Sequence, residues 1–167
     1  MKKYAIVGII ILAIATFGLL LLPNNKPQAQ PKVDNRPTAT TAPVSEPNVS
    51  DLLVIVNEER LKAGVKPLIL DDRLNTSAQQ KADQMALTGE YGHVDSKGKH
   101  GYEYITVECI YKSENLNAGM LTRNYRQTVD SWLNSPAHRQ AMLSDEYEIT
   151  GIAIKGDYVV QHFCNTQ

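Results

Sequence analysis

The chain carries four histidines, His93, His100, His138 and His162, and two cysteines, Cys109 and Cys164. Imidazole, thiolate and carboxylate are the groups that hold zinc and that serve as general bases or nucleophiles. None of them falls into a compact signature. There is no His-Glu-x-x-His helix, no Cys-x-x-Cys pair and no Gly-x-Ser-x-Gly elbow. The missing Cys-x-x-Cys excludes a zinc ribbon and a thioredoxin-type redox motif. Ser135 stands three residues before His138. It also precedes Pro136, which makes it a helix cap before it is a nucleophile. Cys109 and Cys164 lie in strand-like apolar surroundings, where a thiol is usually inert. They are either one disulfide, in an oxidising compartment, or two buried thiols acting as small hydrophobes. His100, beside Lys99, reads as a solvated loop residue. His162 lies between Gln161 and Phe163 in a strand of alternating faces, so it points either to a cleft or outward.

The elements that must position these groups occupy only part of the 167 residues. Met1-Lys2-Lys3 precedes an uncharged apolar run from Tyr4 to Leu22. That length spans a bilayer as a helix, and the two lysines place the remainder outside. Residues 1–22 are therefore read as a signal anchor, with a cleaved export signal as the alternative. No cysteine follows the block, which excludes a lipoprotein anchor. Residues 23–50 hold six prolines amid Gln, Asn and Thr. Such a segment buries too little to offset the entropy of ordering and reads as a disordered tether. Residues 51–167 form the folded domain. They carry 12 Lys and Arg against 16 Asp and Glu, a balance near −4 with no basic stripe, which excludes nucleic acid as a partner.

Within that domain, Ser50 is the expected N-cap of a first helix that Gly64 stops. A second helix begins at Asp71 or Asp72. Leu74, Ala78, Ala82 and Met85 form its apolar stripe, and Gly89 ends it. Tyr104–Tyr111 is rich in β-branched and aromatic residues and predicts a strand, with Glu114-Asn115 orienting the turn after it. A third helix is predicted from about Thr122 to Leu133, with Trp132 in the core, and a fourth from Ser135-Pro136 to Leu143. Residues 149–155 and 158–163 predict a hairpin joined at Gly156-Asp157. Helices first and an antiparallel hairpin last give an α+β class.

The order of several short motifs resembles the CAP superfamily (SCP domain), which includes cysteine-rich secretory proteins, venom antigens and plant pathogenesis-related proteins. The motifs are Val56-Asn57-Glu58-Glu59-Arg60, Pro67-Leu68, Asp72-x-Leu74, Gly92-His93, Glu114-Asn115-Leu116, Trp132, Ser135-Pro136-Ala137-His138-Arg139, Gly151-Ile152-Ala153 and Val160-Gln161-His162-Phe163. The Ser-Pro-x-His-Arg form is typical of the bacterial branch. The resemblance implies a three-layer α-β-α sandwich. It also implies a cleft with two histidines and two acidic residues, which in some members holds a divalent metal. Here His93, Glu114 and His138 match three of those four positions, and Ser135 stands where the second acidic residue is expected. A zinc ion on His93, His138 and Glu114 is one reading, and a metal-free buried polar network is the other. The fold requires no cofactor, and zinc or another divalent metal is the candidate ion for the cleft. The expected role is an extracytoplasmic binding module at the cell envelope, anchored through its N-terminal helix. The alternatives are a hydrolase acting on envelope peptides or wall polymers, and a lipid carrier.

Overall fold

The computed structural model describes residues 48–119 and 124–166. Helix α1, Val49–Lys62, is capped by Asn48, whose side chain accepts from the Ser50 amide. The cap thus lies two residues before the expected Ser50, which falls inside the first turn. Strand β1, Ile69–Leu70, is short and was not evident from local composition. Helix α2, Asp72–Thr88, begins at Asp71, whose carboxylate accepts from the Arg73 and Leu74 amides. It ends at Gly89, which takes the left-handed conformation at φ 73°.

The expected strand over Tyr104–Tyr111 is not formed. A 3₁₀ turn covers Gly101–Tyr104, irregular chain follows, and strand β2 is Lys112–Ala118. Ile110 and Tyr111 are exposed. Ile105, Val107 and Cys109 do turn inward, onto Leu74 and Cys164, but the segment finds no strand to pair with, and propensity without a pairing partner forms no strand. Glu114 and Asn115 consequently lie inside β2 instead of in a turn.

Helix α3 is Tyr125–Leu133, capped by Asn124 with a reciprocal Gln127 bond. The expected start at Thr122 lies outside the described residues. Helix α4, Pro136–Leu143, starts with proline as anticipated, although Ser135 supplies no side-chain cap bond. Strands β3, Ile149–Lys155, and β4, Tyr158–Cys164, form the hairpin, with Gly156 at φ 55° in the turn.

The sheet order is β1-β3-β4-β2, with β1 parallel to β3 and the other pairs antiparallel. Alternation along β3 and β4 divides the core between two faces. Ala78, Ala82 and Met85 of α2 pack on Leu116, Ala153 and Val160. Leu52 and Val56 of α1, Val129 and Trp132 of α3, and Met142 of α4 pack on Ile152, Val159 and Phe163. The sheet is therefore enclosed between α2 and the other three helices. Gly151 sets how closely α2 approaches, since a Cβ there would lie 2.0 Å from the Leu74 carbonyl carbon.

Two motif residues explain the first-helix sequence. The fully buried Arg60 donates to the main-chain oxygens of Lys66, Met142, Ser144 and Tyr147 at 2.7–3.1 Å. It ties α1 to the chain on either side of the α4–β3 connection. Asn57 pairs with Leu68 as a strand would, accepting from its amide at 2.8 Å and donating to its oxygen at 3.0 Å. At the opposite edge, Trp132 Nε1 donates to the Leu116 oxygen of β2 at 2.8 Å. Cys109 and Cys164 are joined in a disulfide with Cα atoms 5.5 Å apart, fastening the irregular segment before β2 to the end of β4. Among the described residues, no helix is long and apolar enough to cross a membrane. The anchor expected over residues 1–22 lies outside them, as does the tether expected over 23–50 up to residue 47; Asn48, Val49 and Ser50 instead cap and open α1.

Candidate functional site

Glu114 sits on edge strand β2, directly across from His162 of β4. This register points both side chains to the α2 face, where Val160 already lies. His162 is fully buried and the Glu114 side chain is 2% exposed. Glu114 Oε2 lies 3.1 Å from His162 Nε2, and Glu114 Oε1 lies 2.8 Å from His93 Nδ1. His93 comes from the loop after α2. Its Nε2 lies 3.3 Å from Nε2 of His138 on α4, with the ring centroids 5.5 Å apart. On the inner side, His162 Nδ1 is 2.8 Å from Ser77 Oγ of α2. Five side chains from β2, β4, α2, α4 and one loop thus form a continuous chain, running from buried Ser77 through the half-exposed His93 to His138.

Donor bookkeeping orders this chain. The Ser77 hydroxyl donates to the Leu74 carbonyl at 2.9 Å, so it receives from His162 Nδ1. The contact between His162 Nε2 and Glu114 Oε2 then needs one further proton between them. On the other side His93 Nδ1 donates to the carboxylate, which leaves His93 Nε2 as the acceptor facing His138. Burial works to raise the Glu114 pKa, but the hydrogen bonds from His162 and His93 outweigh it and hold the carboxyl below its ordinary value. His138 is shifted down, first by burial and then by neighbouring His93, against a smaller opposing pull from Glu114.

Gly101 completes the site. Its amide donates to the His93 carbonyl at 2.7 Å, and a Cβ on it would stand 1.9 Å from Glu114 Oε2. The loop lies directly against the carboxylate, and only glycine permits that approach. Tyr104 follows, with Lys99 Nζ 3.4 Å from its ring centre. Its phenol is shifted up by burial, with Asp95 and Glu114 adding to the shift.

His93, Glu114 and His138, the three residues matched to the family cleft, come together. Ser135 gives α4 no side-chain cap bond; only its main-chain oxygen accepts, from the Arg139 amide at 2.8 Å. His100 stacks on Tyr102 with ring centroids 5.0 Å apart. Sequence reasoning left His162 open and did not single out Ser77 or Gly101. The hairpin alternation carried a signal, since it puts His162 on the face of Val160. Ser77, His162 and Glu114 reproduce the hydroxyl–imidazole–carboxylate order of a hydrolytic triad. However, Ser77 is 2% exposed and its hydroxyl is committed inside α2, so no substrate reaches it.

A sheet enclosed by helices on both faces, with two histidines meeting over a buried glutamate, defines a recognisable class of domain. Residues 53–164 match the family described as CAP, the cysteine-rich secretory protein family, and the chain belongs to it. It is 28% identical over 131 residues to the uncharacterized protein YkwD of Bacillus subtilis, covering 77% of this chain and 51% of that protein. The chain thus spans about half the length of the curated relative it matches. Among solved structures, it superposes on an outer surface protein from Borrelia burgdorferi with a TM-score of 0.64 at 23% identity. That match covers 71% of this chain and 92% of the other. An SCP-domain extracellular protein from Bacillus anthracis gives a TM-score of 0.62 at 17% identity, over 70% of this chain and 40% of that one.

Proposed function

We propose that this CAP-domain protein is a binding module at the cell envelope, held outside the membrane by its N-terminal apolar segment. His93 and His138 form its ligand-facing pair. The observation that carries this reading is their 3.3 Å Nε2–Nε2 separation beside an exposed loop. Two imidazole nitrogens bound to one tetrahedral zinc at about 2.0–2.1 Å stand about 3.3 Å apart. A carboxylate on the far nitrogen of a metal-binding histidine is the usual support for such a ligand, and Glu114 occupies that position behind His93. Both Glu114 oxygens already face histidine nitrogens, and among the described residues no group of three His, Cys, Asp or Glu is arranged for a metal. The residues therefore fit a divalent ion held by two imidazoles, with its other positions open to water or to a ligand. They do not fit a closed three-residue set that includes Glu114. An ion there would supply an electrophilic contact for a carboxylate or carbonyl of the bound partner. The relatives described as outer-surface and extracellular proteins support the placement at the envelope.

The test is zinc content of the purified full-length protein after dialysis against trace zinc, compared with His93→Ala and His138→Ala. About one zinc per chain, lost in both variants, is expected. A folded wild type that retains none would remove the metal from the reading and leave the pair as a hydrogen-bonded contact.

A further inference from the structure

On the opposite face of the sheet from Glu114 lies a second buried polar pair, Asn115 of β2 and Gln161 of β4. They are register partners, and both are fully buried. Each amide nitrogen is committed. Asn115 Nδ2 donates to the His138 main-chain oxygen at 3.0 Å, and Gln161 Nε2 donates to Thr150 Oγ1 at 3.1 Å. Neither amide can be turned over. The flip at Asn115 would set oxygen against the His138 oxygen. At Gln161 it would set oxygen against a hydroxyl whose proton already goes to the His162 carbonyl at 2.8 Å. The two side-chain oxygens, Asn115 Oδ1 and Gln161 Oε1, are left buried with no donor from the protein.

Two neighbouring unmatched acceptors in a core call for a donor. Directly paired residues of adjacent antiparallel strands have Cβ atoms about 4.5–5.5 Å apart, so their side-chain oxygens lie within reach of one small bridging molecule. We propose that a single internal water occupies this place and gives one proton to each oxygen. The stoichiometry selects water. It has two donors for two acceptors, and it is neutral in a setting with no adjacent carboxylate among the residues that bond to the pair. A metal cation would want six or more oxygens, and two are present. The surrounding side chains Ile152, Val159 and Phe163 are apolar and supply no competing donor. Through Asn115 the water is linked to the His138 main chain. It is therefore a fixed part of the framework that sets where α4 holds that histidine.

The experiment is a crystal structure of the full-length protein at a resolution that shows ordered solvent, together with the same structure for Gln161→Met. One solvent peak is expected within hydrogen-bond distance of both oxygens in the wild type, and none in the variant. Empty density between oxygens placed as here would overturn the proposal. So would either oxygen re-paired to a protein donor, or a peak with the short distances and extra ligands of a metal ion. If Gln161→Met does not fold, the wild-type density decides alone.

Discussion

Replacing Gly101 by alanine tests how tightly the carboxylate is held. The new methyl would lie 1.9 Å from Glu114 Oε2, 2.2 Å from Oε1 and 2.3 Å from Cδ. Glu114 cannot swing away as a surface side chain would, because His93 and His162 grip its two oxygens from opposite sides. Either the loop lifts or one of these bonds breaks. A hydrogen bond to a charged group contributes about 1.5–3 kcal/mol. Overpacking of a filled site costs about 1–3 kcal/mol more. Together these give a destabilisation of about 3–5 kcal/mol, a large share of a typical domain's stability. Gly98→Ala, in the same loop, is the control. Its φ of 81° brings a left-handed penalty, but its Cβ would meet nothing within 4 Å. It should cost only about 1–2 kcal/mol. Gly101 has no positive φ, so its whole effect is steric. Urea unfolding of the full-length chain measures both. A Gly101→Ala value at or below that of Gly98→Ala would refute the claim that the loop rests on a fixed carboxylate.

Three further outcomes follow from other parts of the fold. Arg60→Met keeps the aliphatic stem but strands four main-chain oxygens, so a loss of about 4 kcal/mol or more is expected in denaturant melts, with Arg60→Lys recovering only a fraction. Reducing the disulfide frees a loop spanning 55 residues, for which the chain-entropy treatment gives about 4 kcal/mol. A melting temperature unmoved by reductant would contradict it. Stability should also fall with acidification in two stages. His138 has a folded pKa below its ordinary 6.5, so the unfolded chain takes up that proton first, and stability present above pH 6.5 declines as pH drops toward the folded value. Glu114 has a folded pKa below its ordinary 4.5, so its contribution holds above that pH and is lost as pH falls through the folded value, with Asp71 and Glu59 adding to this lower limb. His138→Asn should erase the upper stage and keep the lower.

Much of this architecture is legible in the sequence because it rests on local rules. The α2 stripe, its Asp71 and Gly89 boundaries, Pro136 opening α4, and the hairpin about Gly156-Asp157 all follow from periodicity and capping. Strand β2 is not legible in the same way. Its sequence, Lys-Ser-Glu-Asn-Leu-Asn-Ala, reads as polar loop, yet Glu114, Asn115 and Asn117 are all buried. Each is stable there only through partners far along the chain, such as His162, His138 and Ser131. The apolar-looking Tyr104–Tyr111 lacks a sheet to pair with, and its composition misleads for the same reason. At the site, His93, Glu114 and His138 were reached through motif order, whereas Ser77 and His162 required the strand register. Ser77 occupies an apolar helix face where a hydroxyl gives no outward sign of its role.

The side chains that meet the rims of the sheet bear on how this domain meets other molecules. Asn57 saturates both main-chain groups of Leu68 beside β1, and Trp132 occupies the Leu116 oxygen of β2. At these points an incoming extended peptide finds its hydrogen-bonding positions already taken. Copies of the domain crowded on a surface are likewise kept from zippering strand to strand there. On the proposed reading, recognition falls to the loops and helix ends, which is where His93 and His138 lie. Mutation of Asn57 to leucine would free both main-chain groups of Leu68 at this rim, and a rise in self-association is expected.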